Sequence, residues 1–271
     1  MTDEMQTPGT APESPPEQTE TIKMSFGTRF LSLIIAPGEL MQNIKAHPIV
    51  LAPFIVSAIL GLLLVWPAAW VNDAYMQEMS NISIERYGFD FFDMSALADE
   101  YGDAPIQDAL SAATIILQIT GAFISPLFMS LVFAVGFFIV VKIMRSKATF
   151  GQMFSFSMHL YVLYALGALV INGLMMATGS LLDVTSLAAV FARTGTYDQL
   201  SFNLLSAIGI FPIWLAVLSF IGMKIINDFC NVKAGIIAGL YFLIGVAAHV
   251  TIYMFTWWMY DIAISMGLLE L

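Results

Sequence analysis

Five long apolar runs separated by polar segments dominate the hydropathy pattern of this 271-residue chain. None of the five contains Asp, Glu, Lys or Arg. A helix needs about 20 apolar residues to cross a bilayer, and the core of a soluble domain has no use for uncharged helices of that length side by side. The pattern therefore predicts an all-α integral membrane protein, a bundle of five transmembrane helices at about 49–70, 112–141, 150–178, 203–223 and 234–260.

The region before the first run divides into a polar tail and an amphipathic segment. Residues 1–21 contain five acidic residues, four prolines and no basic residue. Such a composition cannot bury enough apolar area to fold, so it predicts a disordered cytoplasmic tail. Within residues 22–47, Phe30, Leu33 and Ile34 recur near one helical face, and Pro37 marks a second helix start. We predict one or two interfacial amphipathic helices, although docking of the same face on protein fits the pattern equally.

Three prolines are expected to shape the spans. Pro53 falls in the first turn of the first span, where proline is tolerated. The second run would be ~45 Å long as a straight helix, against a hydrocarbon core of ~30 Å, so it must tilt, bend or protrude. Pro126 is its expected hinge, and Pro212 is expected to kink the fourth span near mid-depth.

The polar segment at 71–110, between the first two spans, carries nine acidic residues and only one basic residue. Asp99, Glu100 and Asp103 lie close enough in sequence to hold a hard cation. Their spacing does not match an EF-hand loop. The pattern favours a solvated acidic loop over a cation site.

Composition and charge distribution give the orientation. The chain is 59% hydrophobic and 11% charged, far below the charged fraction of a soluble domain. With the N-terminus inside, eight lysines and arginines face the cytoplasm and only Arg86 and Arg193 face outward, which the positive-inside rule favours. Trp66, Trp70, Trp257 and Trp258 fall at the predicted outer ends. We predict a multi-pass cell (inner) membrane protein with a cytoplasmic N-terminus and an external C-terminus; the inner residues are Lys23, Arg29, Lys45, Lys142, Arg145, Lys147, Lys224 and Lys233.

Polar side chains within the spans are the first candidate functional positions: Gln118, His159, Asn172 and His249. They could line a polar cavity, but hydrogen bonding between helices is the favoured interpretation. His159 and His249 differ in predicted depth by ~10 Å, which disfavours a shared metal site. We therefore predict no metal and no cofactor.

Two further pairs are candidates for contacts. Gly235 and Gly239 form a small-xxx-small pair that would let helices pack closely, within the bundle or, less favoured, between two copies of the chain. Lys224 and Asp228, four residues apart in the polar elbow at 224–233, are expected to form a surface pair and a cytoplasmic contact point.

Enzyme motifs are missing from the sequence. There is no His-Glu-x-x-His, no Gly-x-Ser-x-Gly, no glycine-rich phosphate loop and no pair of intramembrane aspartates. Ser155 and His159 would share a helical face, but that spacing is common by chance. The single cysteine, Cys230, excludes an intramolecular disulfide. We predict that the protein is not an enzyme.

Three segments carry a family resemblance: FLSLIIAPGELMQNIKAHPIVLAP at 30–53, KATFGQMFSFSMHLYVLYALGAL at 147–169, and NLLSAIGIFPIWLAVLSFIGMKIINDFCNVKAGIIAGL at 203–240. Together they resemble the Yip domain family, the Ypt/Rab-interacting membrane proteins and their bacterial relatives. The resemblance implies five spans and a cytoplasmic N-terminal region. Ala36-Pro37-Gly38-Glu39 stands where eukaryotic members carry an Asp-Leu-Tyr-Gly-Pro-like signature, so the chain is more similar to the prokaryotic branch and Rab binding is not implied.

Two functional hypotheses follow. The first is a non-enzymatic membrane protein that organises or recruits other membrane proteins or lipids through residues 22–47, the turn at 142–147 and the elbow. The alternative is a passive channel or transporter for a small solute or lipid, with a cavity lined by Gln118, His159 and Asn172. The lipid bilayer is a partner in both hypotheses, and nucleic acid in neither.

Overall fold

The computed structural model describes residues 24–87, 105–191 and 199–265. Regular structure in these ranges is α-helical, apart from one isolated antiparallel bridge between Ser186 and Gly209. The predicted all-α class is confirmed; the acidic tail at 1–21 and the acidic cluster at 99–103 lie outside the described residues. The helices are α1 (Phe26–Ile35), α2 (Pro37–Ala46), α3 (Leu51–Tyr87), α4 (Pro105–Ile143), α5 (Phe150–Thr178), α6 (Leu187–Phe191), α7 (Gln199–Ser206), α8 (Ile210–Ile226) and α9 (Asn231–Ser265).

Four of these helices are long and apolar enough to cross a membrane: Leu51–Tyr75 in α3, Ile116–Ile143 in α4, α5, and Asn231–Ile252 in α9. Their outer faces expose large apolar side chains, among them Leu63, Leu117 and Leu243. Soluble monomers rarely expose apolar surfaces of this extent, whereas such surfaces are expected on helices in contact with lipid. The chain is a multi-pass membrane protein. The shorter α8, at 17 residues, would be ~25 Å long and lies at the lower limit for a span.

The third predicted span matches α5 at both ends because local capping fixes them. The side chain of Thr149 accepts from the backbone N–H of Gln152, and the side chain of Gln152 accepts from the backbone N–H of Thr149. Gly179 ends the helix in the left-handed conformation, with φ of 65°. A side chain is strained there, so glycine makes this an efficient stop.

The first two predicted spans are longer in the structure. Helix α3 continues to Tyr87, and α4 begins at Pro105. The polar segment at 71–110 is therefore helical at both ends, because its acidic and amide side chains are compatible with a helix and no glycine interrupts 71–87. Pro53 lies in the first turn of α3, as predicted, and α4 is continuous through Pro126.

The prediction for the fourth span was wrong at its N-terminal end. Residues 203–206 belong to α7, and α8 begins only at Ile210. Gly209 is extended between them, with φ of −129° and ψ of 176°, and its neighbours pair with the chain near Ser186. Pro212 is consequently the third residue of α8, in its first turn, and not a mid-helix kink.

The amphipathic segment forms two helices, in agreement with the prediction. The Ser25 side chain caps α1, and Pro37 is the first residue of α2. Helix α2 buries Leu40, Met41 and Ile44 and packs on α8, so its apolar face docks on protein. Helix α1 instead leaves Leu31, Ile34 and Ile35 exposed, as an interfacial helix does.

Helix α5 is the centre of the bundle. It packs against α2, α3, α4 and α8, while α9 packs on α8 and α7. Because α5 has neighbours on several sides, its buried residues do not follow a single face. Met153, Phe156 and Met158 are fully buried, and Phe156 also contacts Phe137 of α4.

The closest approaches of glycine to a neighbouring side chain do not occur at the predicted pair. A Cβ built on Gly235 would lie 4.0 Å from Phe220, and one built on Gly239 would meet nothing within 4 Å. A Cβ built on Gly222 of α8 would lie 2.3 Å from the Phe156 ring, and one built on Gly167 of α5 would lie 2.7 Å from Phe211. Helices α5 and α8 therefore approach through two glycines that each accommodate a phenylalanine of the other helix.

Candidate functional site

A pocket with basic walls lies at the end of the bundle where α2, α4 and α8 end and α5 and α9 begin. Its volume is about 510 Å³, which is within the usual range of small-molecule sites. The charged side chains that line it are Lys45, Arg145, Lys147, Lys233 and Asp228, four basic and one acidic. We call it the basic pocket. It is completed by Met144, Ser146, Ala148, Gln152, Ile226, Asn227 and Phe229.

Hydrogen bonds between distant segments hold the basic pocket together. Lys45 Nζ lies 2.6 Å from Asp228 Oδ1 and ties the end of α2 to the α8–α9 turn. Gln152 Nε2 donates to the Lys45 carbonyl oxygen at 2.7 Å. Ser146 Oγ donates to Asn227 Oδ1 at 2.7 Å, in a buried contact that joins the two turns. The pocket has three walls: the end of α2, the α4–α5 turn with the start of α5, and the α8–α9 turn. Each wall is hydrogen-bonded to the other two.

Two pocket residues have a left-handed backbone. Arg145 has φ of 64° and Asp228 has φ of 55°, and no other non-glycine residue in the described part of the chain has positive φ. At Arg145 the conformation ends α4, since the N–H of Ser146 bonds the Val141 carbonyl at 2.9 Å. Glycine is the usual residue there because a side chain costs about 1–2 kcal/mol. Strain of this kind is concentrated at functional sites.

The predicted pairing of Lys224 with Asp228 was wrong. Helix α8 ends at Ile226, so Asp228 leaves the helical register that would place it one turn from Lys224. Its carboxylate pairs with Lys45 instead. Lys224 lies in the last turn of α8, is exposed, and does not line the basic pocket.

A second basic group, Arg29 of α1, is buried beside a narrow cleft. Only 3% of its surface is exposed. Its Nη2 donates to Asn43 Oδ1 and, at 3.1 Å, to the His47 carbonyl oxygen, whereas Nε and Nη1 have no partner among the described residues. Burial lowers the pKa of the guanidinium. The cleft beside it is also lined by His159. Its volume is only about 10 Å³, which is roughly the space for one water molecule.

The intramembrane polar residues are not gathered at one place. His159 is buried on α5, and its Nδ1 lies 2.7 Å from the Ser155 carbonyl oxygen of its own helix. Asn172 Nδ2 also bonds its own helix, at the Ala168 carbonyl oxygen. His249 Nε2 lies 3.2 Å from Ser206 Oγ, a contact between α9 and α7. Gln118 is half-buried on α4, and neither it nor Asn172 lines the cleft that holds His159.

A comparison with known protein families tests the family resemblance noted in the sequence. The model of the Yip1 domain matches residues 31–253, which is most of the chain and includes every residue that lines the basic pocket. The chain belongs to the Yip1 domain family. No curated protein and no solved structure matches this Yip1-domain protein at a significant level.

Sequence reasoning named parts of the site and missed how they meet. The turn at 142–147 and the elbow were predicted contact surfaces, and both line the basic pocket of the Yip1-domain protein. The roles of Lys45, Gln152 and Asn227 were missed, since their partners lie between 81 and 183 residues away, too far for any spacing rule. The only available indication was that all these residues lie at helix ends on the predicted inner side.

The hydroxyl of Ser155 has a structural role that predicts an effect on stability. It donates to the Ile49 carbonyl oxygen at 2.7 Å and accepts from the Ile49 N–H at 3.1 Å. Ser155→Ala should therefore lower the free energy of unfolding by about 2 kcal/mol, roughly 1 per hydrogen bond. Thermal unfolding in detergent measures the loss. Ser157→Ala is the matched control, because Ser157 Oγ is buried without a partner in the described ranges; equal losses in both variants would contradict the prediction.

Proposed function

We propose that this Yip1-domain protein is a non-enzymatic membrane protein that organises or recruits membrane partners or lipids, and that the basic pocket is its contact surface. One observation carries the proposal. The three segments predicted from sequence as working surfaces, residues 22–47, 142–147 and 224–233, each contribute a basic side chain to the same pocket: Lys45, Arg145 with Lys147, and Lys233.

The geometry around Ser155 and His159 supports a non-enzymatic role. The Ser155 hydroxyl is engaged with the backbone of Ile49, and His159 bonds a carbonyl of its own helix. A nucleophile and its base need to be within hydrogen-bonding reach of each other. The Ser155 hydroxyl and the His159 ring are not hydrogen-bonded to each other. Their hydrogen bonds to the backbone give both residues a structural role that does not depend on catalysis.

Transport is less well supported than recruitment. Of the polar residues proposed to line a conduction path, Gln118, His159 and Asn172, only His159 lines the narrow cleft beside Arg29, and none lines the basic pocket. The cleft at His159 is too narrow for more than about one water molecule. The basic pocket, with a volume of about 510 Å³, lies at the end of the bundle, and its basic walls favour contact with an anionic partner.

Photocrosslinking in native membranes tests the proposed function. A photoreactive amino acid at position 147, in the wall of the basic pocket, should capture a reproducible partner, and Lys45→Gln with Lys233→Gln should reduce the yield. A photoreactive amino acid at position 243, on the exposed apolar face of α9, reports random lipid contacts. The proposal fails if position 147 gives only the adducts that position 243 also gives, whatever the pocket charge.

Cys230 gives a direct test of which side the basic pocket faces. It is the only cysteine in the chain, is exposed, and immediately precedes α9. We expect a membrane-impermeant maleimide to label it in inside-out vesicles and not in intact cells, as a cytoplasmic pocket requires. Labelling of intact cells at the same rate would place the pocket outside.

The same thiol predicts a pH dependence. Hydrogen bonding from the backbone of Lys233 lowers the pKa of Cys230. A lowered pKa makes the reactive thiolate available at lower pH. The maleimide rate of the folded protein should therefore reach its half-maximum at a lower pH than that of the same chain in denaturing detergent. Coincident pH profiles would contradict this expectation.

A further inference from the structure

We infer that the basic pocket binds the phosphate group of an anionic phospholipid. The inference rests on the proposed function and names the ligand class for that site. Its starting point is the charge of the walls. The one ion pair recorded in the described ranges joins Lys45 to Asp228, so the carboxylate is already engaged. Arg145, Lys147 and Lys233 have no carboxylate partner there, and their charges converge on a single cavity.

The chemistry of these groups suits a phosphate. An arginine guanidinium can donate two parallel hydrogen bonds to phosphate oxygens, and lysines add compact positive charge. Gln152 and Lys233 lie in the first turns of α5 and α9. The positive ends of two helix dipoles therefore add to the field that the three unmatched bases produce in the cavity.

The depth of the pocket favours a lipid over a soluble anion. It lies where four apolar helices reach their polar turns, which is the level of phospholipid headgroups. Met144, Ile226 and Phe229 give it an apolar inner wall. Ile143 and Val232, which adjoin pocket residues in sequence, are 76% and 70% exposed. Acyl chains attached to a bound phosphate could lie along these side chains without leaving the bilayer.

The left-handed backbone at Arg145 helps to distinguish a binding role of this residue from a role in stability. Glycine at this position would relieve the strain of a positive φ. Stability alone would favour glycine over arginine at position 145. A long cationic side chain at a strained helix end, in the wall of a cavity with two further unmatched bases, fits a role in holding an anion.

Titration of the purified full-length chain in detergent with short-chain phosphatidylglycerol tests the inference. We expect saturable binding that weakens with added salt, and binding of the matching phosphatidylcholine that is at least tenfold weaker. Each basic residue removed should cost roughly fivefold in affinity, so Arg145→Gly combined with Lys147→Gln should cost roughly 25-fold. Arg145→Gly alone should keep or raise the unfolding temperature, which excludes misfolding as the cause.

The control is Lys224→Gln, which removes the same charge from an exposed position outside the pocket. Equal losses in Lys224→Gln and the pocket variants, or equal affinity for the two lipids, would overturn the inference. Full competition by millimolar inorganic phosphate would assign the site to a soluble anion instead. If phosphatidylglycerol does not bind but position 147 still captures a protein, the lipid assignment is wrong and the proposed function stands; absence of both overturns both.

Discussion

Replacing Gly222 by alanine should destabilise the helix bundle by about 2 kcal/mol or more. The added Cβ would lie 2.3 Å from Cε2 and 2.7 Å from Cζ of Phe156. That ring is fully buried and also packs on Phe137, so it cannot turn outward to solvent and would have to displace neighbouring side chains. Insertion of a methyl group into a close-packed core forces rotamer or backbone shifts that usually cost 1–3 kcal/mol. In thermal unfolding the loss corresponds to a midpoint lower by roughly 4–8 °C.

Gly239→Ala is the matched control for this substitution. It introduces the same methyl group into a helix at a position where nothing lies within 4 Å. Alanine has the higher helix propensity by up to about 1 kcal/mol, so stability should be unchanged or slightly raised. Phe156→Leu in the Gly222→Ala background should restore part of the loss, with a coupling of at least about 1 kcal/mol. An unfolding midpoint of Gly222→Ala equal to that of the wild type would contradict the close approach of α5 and α8.

The glycines show what a sequence pattern can and cannot give. Gly235 and Gly239 have the spacing that favours helix pairing, yet the spacing does not say whether a partner faces them. Gly222 and Gly167 belong to no such motif, and their function follows from phenylalanines 66 and 44 residues away in the chain. Hydropathy reports burial in lipid or protein alike, so the identity of the facing side chain is decided only by the three-dimensional packing.

Boundaries were predictable where local chemistry sets them. Thr149, Gln152 and Gly179 fix both ends of α5 through contacts within a few residues, and the prediction agreed with the structure. The apolar run at 203–223 has no such marker, because Gly209 interrupts the helix through pairing with a segment near Ser186. A hydropathy window passes over that break, since the residues on both sides are equally apolar.

The basic pocket was predictable only in part. The positive-inside rule assigns a side of the membrane to each lysine and arginine, and the structure indeed brings Lys45, Arg145, Lys147 and Lys233 to one end. The rule does not pair them. Asp228 was expected to pair with the lysine four residues away and instead meets one 183 residues away, because the end of α8 redirects its backbone.

The second large effect is expected at Arg29, which joins α1 to the end of α2. Arg29→Ala removes the Nη2 hydrogen bonds to Asn43 Oδ1 and to the His47 carbonyl. Hydrogen bonds from a charged donor contribute about 1.5–3 kcal/mol each, and relief of the buried charge offsets part of that. We expect a net loss of about 2 kcal/mol in the docking of α1, which would speed amide exchange across Phe26–Ile35 by roughly 30-fold.

Two variants calibrate this result. Trp214→Phe removes one neutral hydrogen bond to α1, from Nε1 to the Leu33 carbonyl at 3.3 Å, and should speed exchange by only about fivefold. Arg29→Lys keeps the charge, but both hydrogen bonds come from the terminal Nη2, and the lysine ammonium lies one bond nearer the backbone. It should therefore show at least half of the alanine effect in free energy. If α1 exchange is unchanged in Arg29→Ala yet faster in Trp214→Phe, then the indole and not the guanidinium holds α1 on the bundle. In that case the buried charge of Arg29 requires an explanation other than stability, since an unneutralised guanidinium is costly to keep away from water.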